Sequence, residues 1–187
     1  CFHGSCTVKL FDGSLKFVRD IQRGDQLYPH GAKVNYVLRT ICNTQQSTQM
    51  ILYVFFYFES RFVIRILVDT GLIITPWHPI RLHGTQWIFP CSFVSSPVDV
   101  SCDAVYSFAL DREHTIWVND IECVTLGHQF QDDIVRHNYY GSQRVIEDLR
   151  KLDGEQFCTG YIEIQPTWII RNPQTNRIIR IERAIKS

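Results

Sequence analysis

A thiol and a proton donor can break a peptide bond between them, and this chain holds both at defined places. Cys1 carries a thiol beside the bond to any residue that precedes it, and Thr75-Pro76-Trp77-His78-Pro79 lies mid-chain. To cut the bond before Cys1, the sulfur must attack the upstream carbonyl and move the acyl group from nitrogen to sulfur. A thiol near its reference pKa of about 8.5 is only partly ionised at neutral pH, so a cationic or hydrogen-bonding neighbour helps. The amide resists: its rotation barrier of about 18–20 kcal/mol measures the resonance to be overcome. A site that twists the amide or protonates its nitrogen lowers that barrier. Pro76 sits where proline is favoured in a β-turn, which holds the outer Cα atoms within about 7 Å. Thr75 and His78 then converge, the hydroxyl as donor or acceptor and the imidazole, with an unperturbed pKa of about 6.5, as proton source for a leaving amine. The competing reading makes Cys1 an arbitrary first residue and His78 a loop histidine that caps a turn.

A third group of residues lies later, in Val105-Tyr106-Ser107-Phe108-Ala109-Leu110 and Glu113-His114 through Cys123. Alternation there pairs two strands, and His114 opens the second. Such a hairpin can return His114, Asp120 or Cys123 to Cys1. A buried Cys123 and a surface Asp120 are the plainer alternative.

The elements that must position these groups are short strands. Thr7–Phe11 meets the turn Asp12-Gly13, and Ser14–Val18 returns from it. Gln26–Tyr28, Val34–Leu38, Met50–Phe58, Phe62–Val68, Leu72–Ile74, Trp87–Phe89, Val105–Leu110, His114–Val118 and Glu122–Leu126 follow as strand candidates. Asn119-Asp120 forms a hairpin turn between the last two. This pattern predicts an all-β, curled two-sheet body over residues 1–130. After it comes a C-terminal α+β appendage, residues 131–187, packed on that body. Val145, Ile146, Leu149 and Leu152 share one face of a helix over about 142–153, with Ser142 as N-cap and Gly154 beyond its end. Tyr161–Ile164, Trp168–Arg171 and Arg177–Ile181 read as further strands.

Bulk properties narrow the partners. With 187 residues, 45% of them hydrophobic, the chain can bury a proper core. Formal net charge is zero and no Lys/Arg run exceeds two, which argues against nucleic acid or an anionic membrane surface. The most apolar stretch, Met50–Phe58, is too short to span a bilayer, and no signal peptide is visible. Seven cysteines without CxxC spacing give a metal site little support. Cys91 and Cys102 could bridge in an oxidising compartment, but a reduced interior with one or two reactive thiols is expected, favouring an intracellular, monomeric protein without cofactor.

Taken in order, these motifs resemble the Hint superfamily, the fold shared by inteins, bacterial intein-like domains and the Hedgehog autoprocessing domain. Cys1-Phe2-His3-Gly4-Ser5-Cys6-Thr7-Val8, Asp12-Gly13, Ile21 and Gly24-Asp25 look like its first motif. Gly71 with Thr75–Pro79 looks like the second, and Val105-Tyr106 through His114 and Asn119-Asp120-Ile121 like the late one. Cys123–His128, His137–Ser142 and Val145–Leu149 narrow the likeness to the Vint type, found in eukaryotic proteins alongside von Willebrand A domains. The resemblance implies a horseshoe of two curled sheets. It implies Cys1 as acyl-shift nucleophile, and Thr75 and His78 as the groups that polarise and protonate the scissile amide. His114 falls where inteins carry their late histidine, and Cys123 roughly where the Hedgehog type keeps a cysteine near its nucleophile.

Two departures shape the expected activity. An intein ends in His-Asn followed by Ser, Thr or Cys, whereas here His137-Asn138 precedes Tyr139 and is read as structural. No Asp lies between Asp25 and Asp69, the stretch where the Hedgehog type carries the acid that activates its sterol acceptor. The expectation is cleavage before Cys1 through a thioester, resolved by water or another small nucleophile, with the upstream segment of its own precursor as substrate. Two alternatives stand beside it: an N-terminal-nucleophile amidohydrolase using the α-amine as base, and a non-catalytic β interaction module. The first needs sheets layered between helices, and only one convincing helix is visible.

Overall fold

Apolar and polar residues alternate along much of Ala32–Ile41, and Ala104–Leu110 is buried throughout, so these become the long central strands. The computed structural model describes residues 1–42, 48–50, 71–82, 86–92, 98–154 and 158–184. In chain order the strands are β1 (Phe2–His3), β2 (Thr7–Lys9), β3 (Leu15–Phe17), β4 (Gln26–Leu27), β5 (Ala32–Ile41), β6 (Thr48–Met50), β7 (Ile80–Arg81) and β8 (Val98–Val100). β9 (Ala104–Leu110), β10 (Thr115–Val118) and β11 (Ile121–Val124) follow. Then come helix α1 (Gln143–Asp153), β12 (Tyr161–Ile164), β13 (Ile169–Arg171) and β14 (Ile178–Ile181).

Two sheets carry the body. One runs β1-β9-β5-β12 with β4 beside β5, and the other runs β3-β2-β10-β11-β7. Between them lies a core that includes Phe2, Val8, Val37, Ile74, Ile80, Phe108 and Cys123. The protein is all-β in class, with α1 the one α-helix among the described residues.

Turn chemistry decided much of this. Asn119 and Asp120 both adopt positive φ, 47° and 62°, the backbone that a two-residue hairpin between β10 and β11 demands. α1 begins where Ser142 accepts from the Arg144 N–H and ends at Gly154, whose φ is 79°. Its face of Val145, Ile146, Leu149 and Leu152 packs with Leu38, Ala109, Tyr139 and Ile162 in a second core. β12 joins the first sheet parallel to β5, pairing Ile162 with Leu38, so the C-terminal segment shares backbone bonds with the body.

Several strand expectations need correction. Leu72–Ile74 and Trp87–Phe89 each supply a single bridge, Ile74 to Phe2 and Ile88 to Ile80, rather than a strand. Pro76 lies two residues beyond the first and Pro90 directly follows the second, removing N–H groups a longer ladder would use. Trp168 closes a 3-10 turn, and β13 starts one residue later. Phe62–Val68, and Met50–Phe58 beyond its first residue, lie outside the described residues.

Candidate active site

The first residues form a short strand between two others, and that is what makes a site of them. On one side β1 pairs with β9, Phe2 opposite Tyr106 and His3 opposite Val105. On the other, the His3 N–H donates to the Ile73 carbonyl and the Thr75 N–H donates to the Cys1 carbonyl, both at 3.0 Å. Cys1 therefore meets the 75–78 turn at the end of this alignment. Gly4 eases the packing nearby, because a Cβ there would lie 3.1 Å from the Tyr106 ring and 3.2 Å from Arg19 Cβ, and one of them would have to give way.

The turn is closed by the His78 N–H, which donates to the Thr75 carbonyl at 3.1 Å. From it both side chains reach the nitrogen of Cys1. That nitrogen donates to Thr75 Oγ1 at 2.8 Å and lies 2.7 Å from His78 Nδ1. The far side of the ring fixes the tautomer: Nε2 is 2.9 Å from the Val124 carbonyl, which can only accept. Nε2 therefore carries the hydrogen, and the Nδ1 lone pair faces Cys1. Phe2 is buried against the ring, centroids 4.5 Å apart. Burial, then the nearby amine charge, holds the His78 pKa well below its usual value. Burial also lowers the α-amine of Cys1 from 8.0 to about 5. Both groups are neutral at neutral pH.

The sulfur has its own partner. Ser107 Oγ lies 3.2 Å from Cys1 Sγ in a geometry that lets the hydroxyl donate to it. Ser107 is buried in the middle of β9, whose pairing with β1 brings it to the sulfur. It was not singled out in the sequence; the only signal was a hydroxyl inside the otherwise apolar run Ala104–Leu110.

Other expected residues fall at different distances from this cluster. Cys123 is fully buried on β11, opposite Ile80, near enough for a charge on its sulfur to be felt at the Cys1 amine. Burial raises its thiol well above the usual value, so it is protonated. Its neighbour Val124 supplies the carbonyl that holds His78. His114 sits just before β10 with φ 53°, and its carbonyl accepts from the Thr125 N–H. Its Nδ1 is buried without a hydrogen-bond partner among the described residues. Its lowered pKa reflects burial first, opposed by Asp111 and Glu113. Asp120 is exposed at the hairpin tip. The structure thus brings Cys1, Thr75 and His78 into contact, places Cys123 in the core next to the strand residue Val124 that holds His78, and leaves Asp120 outside. His137 Nδ1 accepts from the N–H groups of Tyr139 and Tyr140, so the His137-Asn138 pair organises a turn.

A family model described as "Vint: Hint-domain" matches residues 1–180. The chain belongs to the Vint family of Hint domains. No curated protein matches it. Hint domains process their own precursors, and the Vint match spans both the β body and the segment carrying α1. Among the described residues of this Vint domain, no helix is long and apolar enough to cross a membrane.

Proposed function

We propose that this domain cuts the peptide bond before Cys1 in a precursor by an N-to-S acyl shift. Cys1 Sγ attacks the carbonyl carbon of the preceding residue, the C–N bond breaks, and a thioester forms on the sulfur. The thiol proton must end on the Cys1 nitrogen. His78 can relay it, because Nε2–H is committed to Val124 and the Nδ1 lone pair alone faces the reacting atoms. Thr75 Oγ1 holds the same nitrogen and helps turn it out of amide conjugation. Ser107 donates to the sulfur and favours the thiolate. Water or a small nucleophile then takes the acyl group.

The observation that carries this reading is the double grip on the Cys1 nitrogen, 2.8 Å from Thr75 and 2.7 Å from His78. A histidine that merely caps a turn has no reason to point its lone pair there. The test is a precursor with a short upstream segment, intact or carrying Cys1→Ala. Two bands from the first and one from the second are expected, with hydroxylamine accelerating release. Equal cutting of both refutes the mechanism.

One observation favours a second reading. A neutral α-amine is what an N-terminal-nucleophile amidohydrolase uses as its base. Here that amine is engaged by Thr75 and His78, and the layered helices of that class are missing among the described residues. Release of more than one equivalent of product from an added amide would support it.

A further inference from the structure

β5 and β9 are neighbours, and their ladder ends at the pair Ile41–Ala104. One residue further the Cys42 N–H donates to the Asp103 carbonyl at 2.9 Å, so the two chains stay side by side. Just there Cys42 Sγ and Cys102 Sγ stand 3.3 Å apart. Both are thiols, as are all seven cysteines. The sequence suggested Cys91 as the partner of Cys102. Instead, the Cys91 N–H donates to the Pro76 carbonyl, which places Cys91 against the 75–78 turn. Cys1, Ile73, Val100 and Cys102 pack around Cys42 and Val105, so the dithiol belongs to the wall behind the nucleophile.

We propose that Cys42 and Cys102 form a reversible disulfide that braces the chain segment carrying Thr75 and His78. The two sulfurs need to close from 3.3 Å to about 2.05 Å, and neighbouring antiparallel strands already hold their backbones together. Sixty positions separate them in sequence, and Thr75 and His78 lie within that span. Closing so long a loop removes much of the freedom of the unfolded chain. The reactant is a small disulfide of the glutathione kind. Cys102, the more exposed of the two, attacks one of its sulfurs as the thiolate and expels one thiolate. Cys42 then attacks the Cys102 sulfur and expels the second. Two protein thiols lose two electrons and two protons, and the small disulfide becomes two thiols. This proposal does not depend on cleavage before Cys1.

The test uses the folded domain, reduced with a phosphine, freed of it, and equilibrated with oxidised glutathione. After alkylation and non-reducing digestion, the expected product has lost the mass of two hydrogens and joins the Cys42 and Cys102 peptides. Its thermal midpoint rises by roughly 5–10 °C, and the reducing phosphine reverses both changes. Cys42→Ser, with an unaltered circular dichroism spectrum, keeps a midpoint that ignores oxidised glutathione. Linkage of Cys102 to Cys91 or Cys1 overturns the proposal. So do glutathione adducts without an internal bond, or an internal bond that leaves the midpoint unmoved.

Discussion

Acidifying the chain that begins at Cys1 should weaken it through one group above others, the α-amine held between Thr75 and His78. Burial takes its pKa from 8.0 to about 5, a shift of about three units. In the unfolded chain the same amine is protonated below pH 8. Between pH 8 and 5 the unfolded state therefore binds a proton that the folded state refuses, and stability falls as pH falls. One unit corresponds to about 1.4 kcal/mol, so the full window is worth about 4 kcal/mol. That is a large share of the roughly 5–15 kcal/mol that holds a typical domain folded. The comparison form carries one N-acetylated residue before Cys1→Ser, which leaves an amide nitrogen with no charge to gain and brings in no second α-amine. Urea unfolding of both forms from pH 8 to pH 5 isolates the amine, because every titrating side chain beyond residue 1 is common to the two. Stability of the free-amine form should drop more steeply, by about 3 kcal/mol between pH 8 and pH 5, where each state is still half-titrated at one end. Parallel curves would refute the reasoning, for the nitrogen would then be solvated and the grip of Thr75 and His78 illusory.

Other substitutions probe the site one contact at a time. In a precursor with an upstream segment, His78→Ala should slow cleavage by about 10²–10⁴-fold in a single-turnover assay, with the fold intact by circular dichroism. Ser107→Ala removes a hydrogen bond to a developing thiolate, worth about 1.5–3 kcal/mol, and should slow the same assay by about 10–100-fold. Cys123→Ala should cost about 1–2 kcal/mol in urea unfolding yet slow cleavage less than about tenfold, since a buried, protonated thiol packs rather than reacts. Nitrogen-resolved NMR should find the His78 ring neutral with hydrogen on Nε2 at pH 6, where burial above all keeps it from charging.

What the sequence made legible was local. Pro76 announces the 75–78 turn, and the Thr75 carbonyl to His78 N–H bond is within four residues. Asn119-Asp120 announces its hairpin because few other dipeptides tolerate two successive positive φ angles. Ser142 and Gly154 bracket α1, and its apolar stripe is the face that packs. Each of these signals needs only near neighbours, and the physics that forms them is already complete at that range.

What stayed hidden depends on pairing across the chain. Ser107 reaches Cys1 only because β9 lies beside β1, 106 positions apart in sequence. Cys42 finds Cys102 rather than Cys91 because β5 lies beside β9. Trp77 makes the converse point. It lies inside the turn that holds Thr75 and His78, yet it is 71% exposed and stacks edgewise on Phe89, away from the Phe2 and Val124 contacts that frame His78. Membership of a motif therefore does not distinguish a group that touches the Cys1 nitrogen from one that faces solvent. The distinguishing fact is which strand runs alongside the first three residues. β9 does so on one side and residues 73–75 on the other. Any side chain those two segments turn toward Cys1 becomes part of its surroundings. That is why an ordinary serine in an apolar strand belongs to the site and a conspicuous tryptophan does not.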